Sequence, residues 1–277
     1  MSEFFRLLLG TLLLRPYVFV FLSIYLISCT ARYGLKVSLS FLGIGYGIAF
    51  LSEWSSIHWG IPYGHYYYIH DTVGRELWVF GVPFMDSLSY VFLAYASFST
   101  ALFSRLPSDV RRAAPFRVMD SAFLRTSWGA TVTGAALFMF LDVIIDPVAY
   151  RGDRWFLGKI YDYREPGIYF GIPWSNFAGW FLIGLILNRV LGLLTASPDL
   201  DTPRKGRLGR LPGVRSGGVA LYGFILAGNL AVTFWIGEIL LGLWGTVLTA
   251  GVALWIVRSG NPRRSESAVP DPEERSG

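Results

Sequence analysis

Cysteine occurs once, at Cys29, so neither a disulfide nor a cysteine-built metal site can form within one chain, and the thiol reads as a small buried group. Histidine occurs three times, at His58, His65 and His70, all in one loop, which is too few for a histidine-rich di-iron centre. The sequence has no H-E-x-x-H, no G-x-S-x-G elbow, no Walker loop and no G-x-G-x-x-G after a strand, so zinc-protease, serine-hydrolase and nucleotide-binding chemistries have no foothold. No metal and no cofactor are expected. Charge is also scarce: 16% of the 277 residues are charged and 53% are hydrophobic. The uncharged runs are longer than a soluble core requires, which identifies an integral, multi-pass membrane protein.

A membrane helix needs roughly 20 apolar residues. Runs at 16–33, 37–57, 82–104, 126–145, 172–194, 217–236 and 239–257 meet that length, predicting an all-α polytopic bundle of about seven spans. The last two are separated only by Gly237 and Glu238, as a tight helical hairpin or, alternatively, one long tilted helix. Residues 3–14, "EFFRLLLGTLLL", are too short to span and read as an interfacial helix, with an eighth span as the other option. The first apolar run has no small-residue cleavage site and leads straight into another span, so it is expected to stay in the protein. Residues 1–258 form the transmembrane domain, with the site region at 40–195. The tail 259–277 is polar and Pro-rich and is expected to be disordered.

The net charge of +5 is unevenly placed. Seven spans put Arg32, Lys36, the five arginines from Arg105 to Arg125, the group Arg204, Lys205, Arg207, Arg210 and Arg215, and Arg258, Arg263, Arg264 and Arg275 on one side. The positive-inside rule makes that side cytoplasmic, with the C-terminus inside, the N-terminus outside and the bundle in the cytoplasmic membrane. The basic loops are read as topology signals and contacts to anionic lipid, not as a nucleic-acid surface.

Two stretches echo each other. "GVPFMDSLSYVF" (81–92) laid over "GIPWSNFAGWFL" (171–182) aligns Gly81 with Gly171, Pro83 with Pro173, Asp86 with Asn176 and Tyr90 with Trp180. Upstream, "LSEWSSIHWGIPYGHYYY" and "LDVIIDPVAYRGDRW" each place an acid, Glu53 or Asp142, near the end of a span. The units start on the same side, which predicts a parallel repeat of helix pairs with both acid-bearing ends at one membrane face. Gly-x-Pro starts the return helix in each unit, because proline's missing N–H has no partner to lose in a first turn. Asp86 and Asn176 then fall in that turn.

Acids inside apolar runs cost about 2.5–3.5 kcal/mol on insertion scales and are read as functional. Glu53, Asp142, Asp146 and Glu238 are of this kind, and "ALFMFLDVIID" sets Asp142 deepest in hydrophobic sequence. Asp142 and Asp146, four apart, share a helix face, so one of them is expected to keep its proton. Alternatively Asp146 pairs with Arg151, Arg154 or Lys159 of the next loop. Aromatics make up 17% of the chain and crowd beside these acids. Some belong to an interfacial belt, but aromatic faces also stabilise cations. A protonated carboxyl within aromatic walls suits a carbocation reaction on a lipid.

"WGIPYGHYYY", "GVPFMDSLSYVFLAY", "LDVIIDPVAYRGDRW" and "YFGIPWSNFAGWF" together resemble the membrane carotenoid biosynthesis proteins typified by bisanhydrobacterioruberin hydratase and γ-carotene hydratase, over residues 40–195. The resemblance implies addition of water across the terminal isopropylidene double bond of an acyclic carotenoid end, giving a tertiary alcohol without a redox cofactor. The catalytic set is then Asp142 as acid, Asp146 or Glu53 as base and Asn176 orienting the water. Trp54, Trp59, Tyr63, Tyr66, Asp86, Tyr169, Trp174 and Trp180 would line the substrate. The expected partners are membrane lipid, the carotenoid and neighbouring pathway enzymes docked on the basic loops. A membrane cyclase, which also protonates a terminal alkene, and a non-enzymatic isoprenoid transporter or binding protein are the alternatives.

Overall fold

The computed structural model describes residues 3–107, 120–201 and 213–259, so the tail beyond Ser259 and much of two basic loops lie outside the described residues. Nine α-helices are present among them. Helix α1 (Glu3–Leu14) is followed by α2 (Pro16–Tyr33), α3 (Leu35–Trp59), α4 (Phe84–Ser104), the short α5 (Ala122–Thr126), α6 (Trp128–Ala149), α7 (Trp174–Leu194), α8 (Gly217–Trp235) and α9 (Ile239–Arg258). Seven of these are long and apolar enough to cross a membrane and coincide with the seven expected runs to within a few residues. The chain is therefore an all-α polytopic bundle. Helix α1, at 12 residues, is below spanning length. Gly237, at φ 79°, turns the chain between α8 and α9, which form the hairpin and not one long helix.

The spans alternate in direction. One end of the bundle, the loop end, collects Arg15, the segments 60–83 and 150–173, and the α8–α9 turn, where Glu238 pairs with Arg151 at 3.2 Å and with Arg154. The other end is locked by Arg125, fully buried, whose guanidinium reaches Asp201 at 2.7 Å and the Thr195 carbonyl at 2.8 Å. Asp120 joins it and also pairs with Arg32 at 2.7 Å. Helix α4 runs through the centre, buried on almost every side, which its small and hydroxylated residues (Ala94, Ala96, Ser97, Ser99, Thr100, Ala101) permit by letting neighbouring helices approach.

The loop end holds four short strands that hydrophobic periodicity did not signal: β1 (Tyr66–Tyr68), β2 (Trp78–Val79), β3 (Val82–Pro83) and β4 (Tyr161–Tyr163). Two or three residues are too few to reveal an alternation. Strand β1 pairs antiparallel with β4, with Tyr66 opposite Tyr163 and Tyr68 opposite Tyr161, tying the loops of the two helix pairs together. The echo has a backbone counterpart. Phe80–Gly81 and Phe170–Gly171 each form a two-residue turn with both φ values positive, 45° and 85° in the first, 53° and 96° in the second. That sign pattern belongs to type I′ turns and requires glycine or a tolerated exception. Proline follows two residues later in both and stands one position before the first helical residue, Phe84 or Trp174, in extended conformation. The prolines thus cap the helices and do not lie inside the first turn, because Pro83 still belongs to a hairpin strand. Asp86 and Asn176 are each the third helical residue.

Candidate functional site

Helices α3, α4, α6 and α7 deliver their polar residues to a single cavity of about 290 Å³ beneath the β1–β4 ladder. Asp142 and Asp146 come from α6, Asn176 and Trp180 from α7, Glu53 from α3, and Asp86 and Tyr90 from α4; all line it. Asp142 is 1% exposed and Glu53 2%. Burial of this kind is tolerated only when the carboxyls find partners.

The partners are unequally divided. Asn176 Nδ2 donates to Asp142 Oδ2 at 2.7 Å and to Asp146 Oδ2 at 3.1 Å, bridging the two acids. Asp146 receives two further hydrogen bonds, from Tyr161 Oη to Oδ1 and from Tyr163 Oη to Oδ2, the latter at 2.8 Å. Among the described residues Asp142 thus has one donor and Asp146 three. Glu53 accepts from Tyr68 Oη at 3.0 Å and from Ser87 Oγ. Burial, and after it the charge of neighbouring carboxylates, pushes the phenols of Tyr68, Tyr161 and Tyr163 well above the ordinary tyrosine range. They remain hydrogen-bond donors throughout the physiological range.

The two halves are alike in plan: an acid near the end of the first helix, a tyrosine from the loop strand, and a polar residue in the first turn of the second helix. Glu53, Tyr68 and Asp86–Ser87 form one set, Asp142/Asp146, Tyr161/Tyr163 and Asn176 the other. Below them the walls are aromatic. Tyr90 and Trp180, paired in the echo, stack with centroids 4.6 Å apart, Phe138 lies 4.7 Å from Trp180, and Tyr63 sits against both members of the stacked pair.

Of the aromatic residues expected to line a substrate, Tyr63, Tyr66 and Trp180 border the cavity, as does Asp86. Trp54, Trp59, Tyr169 and Trp174 do not. Trp59 and Trp174 are 63% and 64% exposed at the outer rim, where tryptophan anchors an interface. Trp54 packs against His58 with centroids 4.4 Å apart, and Tyr169 packs on Phe177 while its hydroxyl donates to the Val143 carbonyl. The basic partners considered for Asp146 are engaged elsewhere: Arg151 and Arg154 with Glu238, Lys159 with Asp162 at 2.5 Å.

Four contributors were not evident from sequence. Tyr161, Tyr163 and Tyr68 looked like members of an aromatic run, and only the strand pairing aims their hydroxyls at the acids. Arg15 lies between the 3–14 segment and the run that starts at Pro16 and carries no local signal of a role. It is 3% exposed, pairs with buried Glu76 at 3.3 Å and donates to the Leu157 carbonyl, so it clamps both loops over the cavity. A buried Arg–Glu pair across 61 residues has no local sequence signal.

No curated protein and no solved structure matches the chain. A family model does, over residues 6–252, and its reach includes α1, α2 and the α8–α9 hairpin, beyond the 40–195 segment that carries the motifs. The chain belongs to the family described as carotenoid biosynthesis protein.

Proposed function

We propose that the protein is a carotenoid hydratase that adds water to the terminal isopropylidene double bond of an acyclic carotenoid end. The observation that carries this reading is the unequal donor set on the bridged pair Asp142–Asn176–Asp146. Hydrogen bonds to a carboxylate favour its charged form. Three donors therefore hold the negative charge on Asp146, and the proton of the pair resides on Asp142, whose Oδ1 accepts no hydrogen bond from a side chain among the described residues.

Asp142 delivers that proton to the less substituted alkene carbon; the π pair becomes the new C–H bond and the other carbon becomes a tertiary cation. Tyr90, Trp180 and Tyr63 offer π faces, each contributing roughly 0.5–2 kcal/mol to a cation in a desolvated site. Water attacks the cation, and its surplus proton passes to Asp146. Transfer of that proton back to Asp142 restores the pair. One water is consumed, and nothing is oxidised or reduced. The second set, Glu53 with Tyr68, Ser87 and Asp86, makes the opposite wall polar enough to hold the incoming water.

The basic residues Arg32, Lys36, Arg105, Arg125 and Arg258 belong to the end opposite the cavity. By the positive-inside rule that end faces the cytoplasm, and the acid cavity faces the outer half of the membrane.

The test is to produce the protein in a bacterium that accumulates an acyclic carotenoid and to analyse the pigments by mass. A gain of one water supports the hydratase. Unchanged mass with altered retention and spectrum would make the protein a cyclase, and pigment left untouched by correctly folded protein would end the catalytic reading.

A further inference from the structure

The cavity does not end at the acids. Its lining continues to Tyr17 and Phe21 of α2, to Phe156 of the second loop, and to Phe224, Ile225, Gly228 and Val232 of α8. Phe224 is 63% exposed, and a Cβ at Gly228 would meet no atom within 4 Å, so these residues border the cavity and the surrounding membrane at once. Residues 217, 221, 224, 228 and 232 recur at helical spacing and share one face of α8. At its start that face is pressed against α2: a Cβ on Gly217 would come within 2.8 Å of Ser28. Beside it, a Cβ on Gly218 would come closer still to Ser99 of α4. Further along, the same face borders open space. Helices α2 and α8 are therefore closed at the basic end and splayed at the loop end. Phe21 and Phe224, 5.9 Å apart, form the floor of the slot, and Phe156, 6.0 Å from Tyr17, lies at its roof.

We propose that this α2–α8 slot is a lateral portal through which the end of a long isoprenoid hydrocarbon slides in from the bilayer, its remaining chain lying across Gly228 and staying in lipid. This rests on the functional reading above for the identity of the chain. An apolar slot opening sideways suits a rod-like polyene, which has no reason to leave the hydrocarbon phase, and 290 Å³ is too little for more than one end of such a molecule. Each binding event presents a single end. A symmetric acyclic carotenoid is thus hydrated in two separate encounters, with the singly hydrated product released in between, and the nature of the far end is immaterial.

The experiment uses the full chain carrying Asp142→Asn, which blocks turnover, purified in detergent from a host accumulating an acyclic carotenoid. Bound pigment is read from its visible absorption per chain. About one pigment per chain is expected, dropping at least tenfold when Gly228→Trp fills the slot. Gly223→Trp is the control: it places the same side chain on α8, where a Cβ also meets nothing and which lies outside the cavity lining. It should retain the pigment. Pigment retained by folded Gly228→Trp, lost equally in Gly223→Trp, or absent from the parent protein would overturn the portal. Pigment bound and then lost on filling the slot, in a protein whose native form adds no water, would leave the portal standing and remove the hydratase.

Discussion

Asn176→Ala isolates the bridge between the two acids. Asn176 is buried, uncharged and bonded to both carboxyls, and in the proposed reaction its hydrogen bond to Asp142 changes character. Before protonation of the alkene it donates to a neutral carboxyl; afterwards it donates to a carboxylate. A neutral hydrogen bond contributes about 0.5–1.5 kcal/mol and one to a charged group about 1.5–3 kcal/mol, so the bond strengthens by about 1–1.5 kcal/mol on the way to the cation. An interaction that grows in the transition state lowers kcat when removed. That gain alone corresponds to about 5–13-fold, and losing the fixed orientation of both carboxyls brings the expected fall in kcat to about 10–100-fold. KM should change little, because Asn176 holds the acids and not the apolar chain. Asn176→Asp replaces two N–H donors with a third carboxylate and should be inactive at neutral pH. It should recover in part on acidification, when the new side chain carries a proton and can donate. The assay is initial-rate hydration of an acyclic carotenoid in membranes or detergent, with product separated by chromatography. An Asn176→Ala protein with unchanged kcat and only a lower melting temperature would show that the bridge serves stability and plays no part in turnover.

Tyr161→Phe and Tyr163→Phe each remove one donor from Asp146. Each should slow turnover about tenfold, the pair more than either, with the acid limb of the pH–rate profile moving to higher pH; an unmoved profile would separate these tyrosines from the base. Arg15→Ala leaves Glu76 buried without its cation and should destabilise the protein by about 3–5 kcal/mol, read as a lower melting temperature, and the further change Glu76→Gln should recover part of the loss.

The span pattern was legible because a soluble core seldom needs an uncharged apolar run of membrane length, and all seven runs appear as helices. The repeat was legible at Gly-x-Pro because backbone turns demand particular residues. The demand extends one residue earlier than the pattern suggested, to Phe80 and Phe170, where a phenylalanine at positive φ carries no compositional mark. Asp142, Asp146, Glu53 and Asn176 stood out because polar groups in hydrophobic sequence are costly, and all four border one cavity. Their hydrogen-bond partners did not stand out. The strand pairing that aims Tyr68, Tyr161 and Tyr163 at them is a contact between segments almost a hundred residues apart, and a tyrosine in an interfacial loop looks the same whether it faces lipid or an acid. For the same reason Trp59 and Trp174, reasonable wall residues by sequence, turn out at the outer rim.

In the proposed mechanism the proton and the hydroxyl both come from water. Both atoms can be followed by supplying the membrane-embedded protein with an acyclic carotenoid in ¹⁸O-labelled heavy water and determining the product by mass spectrometry. The product should carry one ¹⁸O in a tertiary alcohol and one non-exchangeable deuterium on the adjacent carbon, both lost in Asp142→Asn. Oxygen drawn from dissolved O₂, a product of unchanged oxygen content, or full labelling in the Asp142→Asn protein would rule this mechanism out.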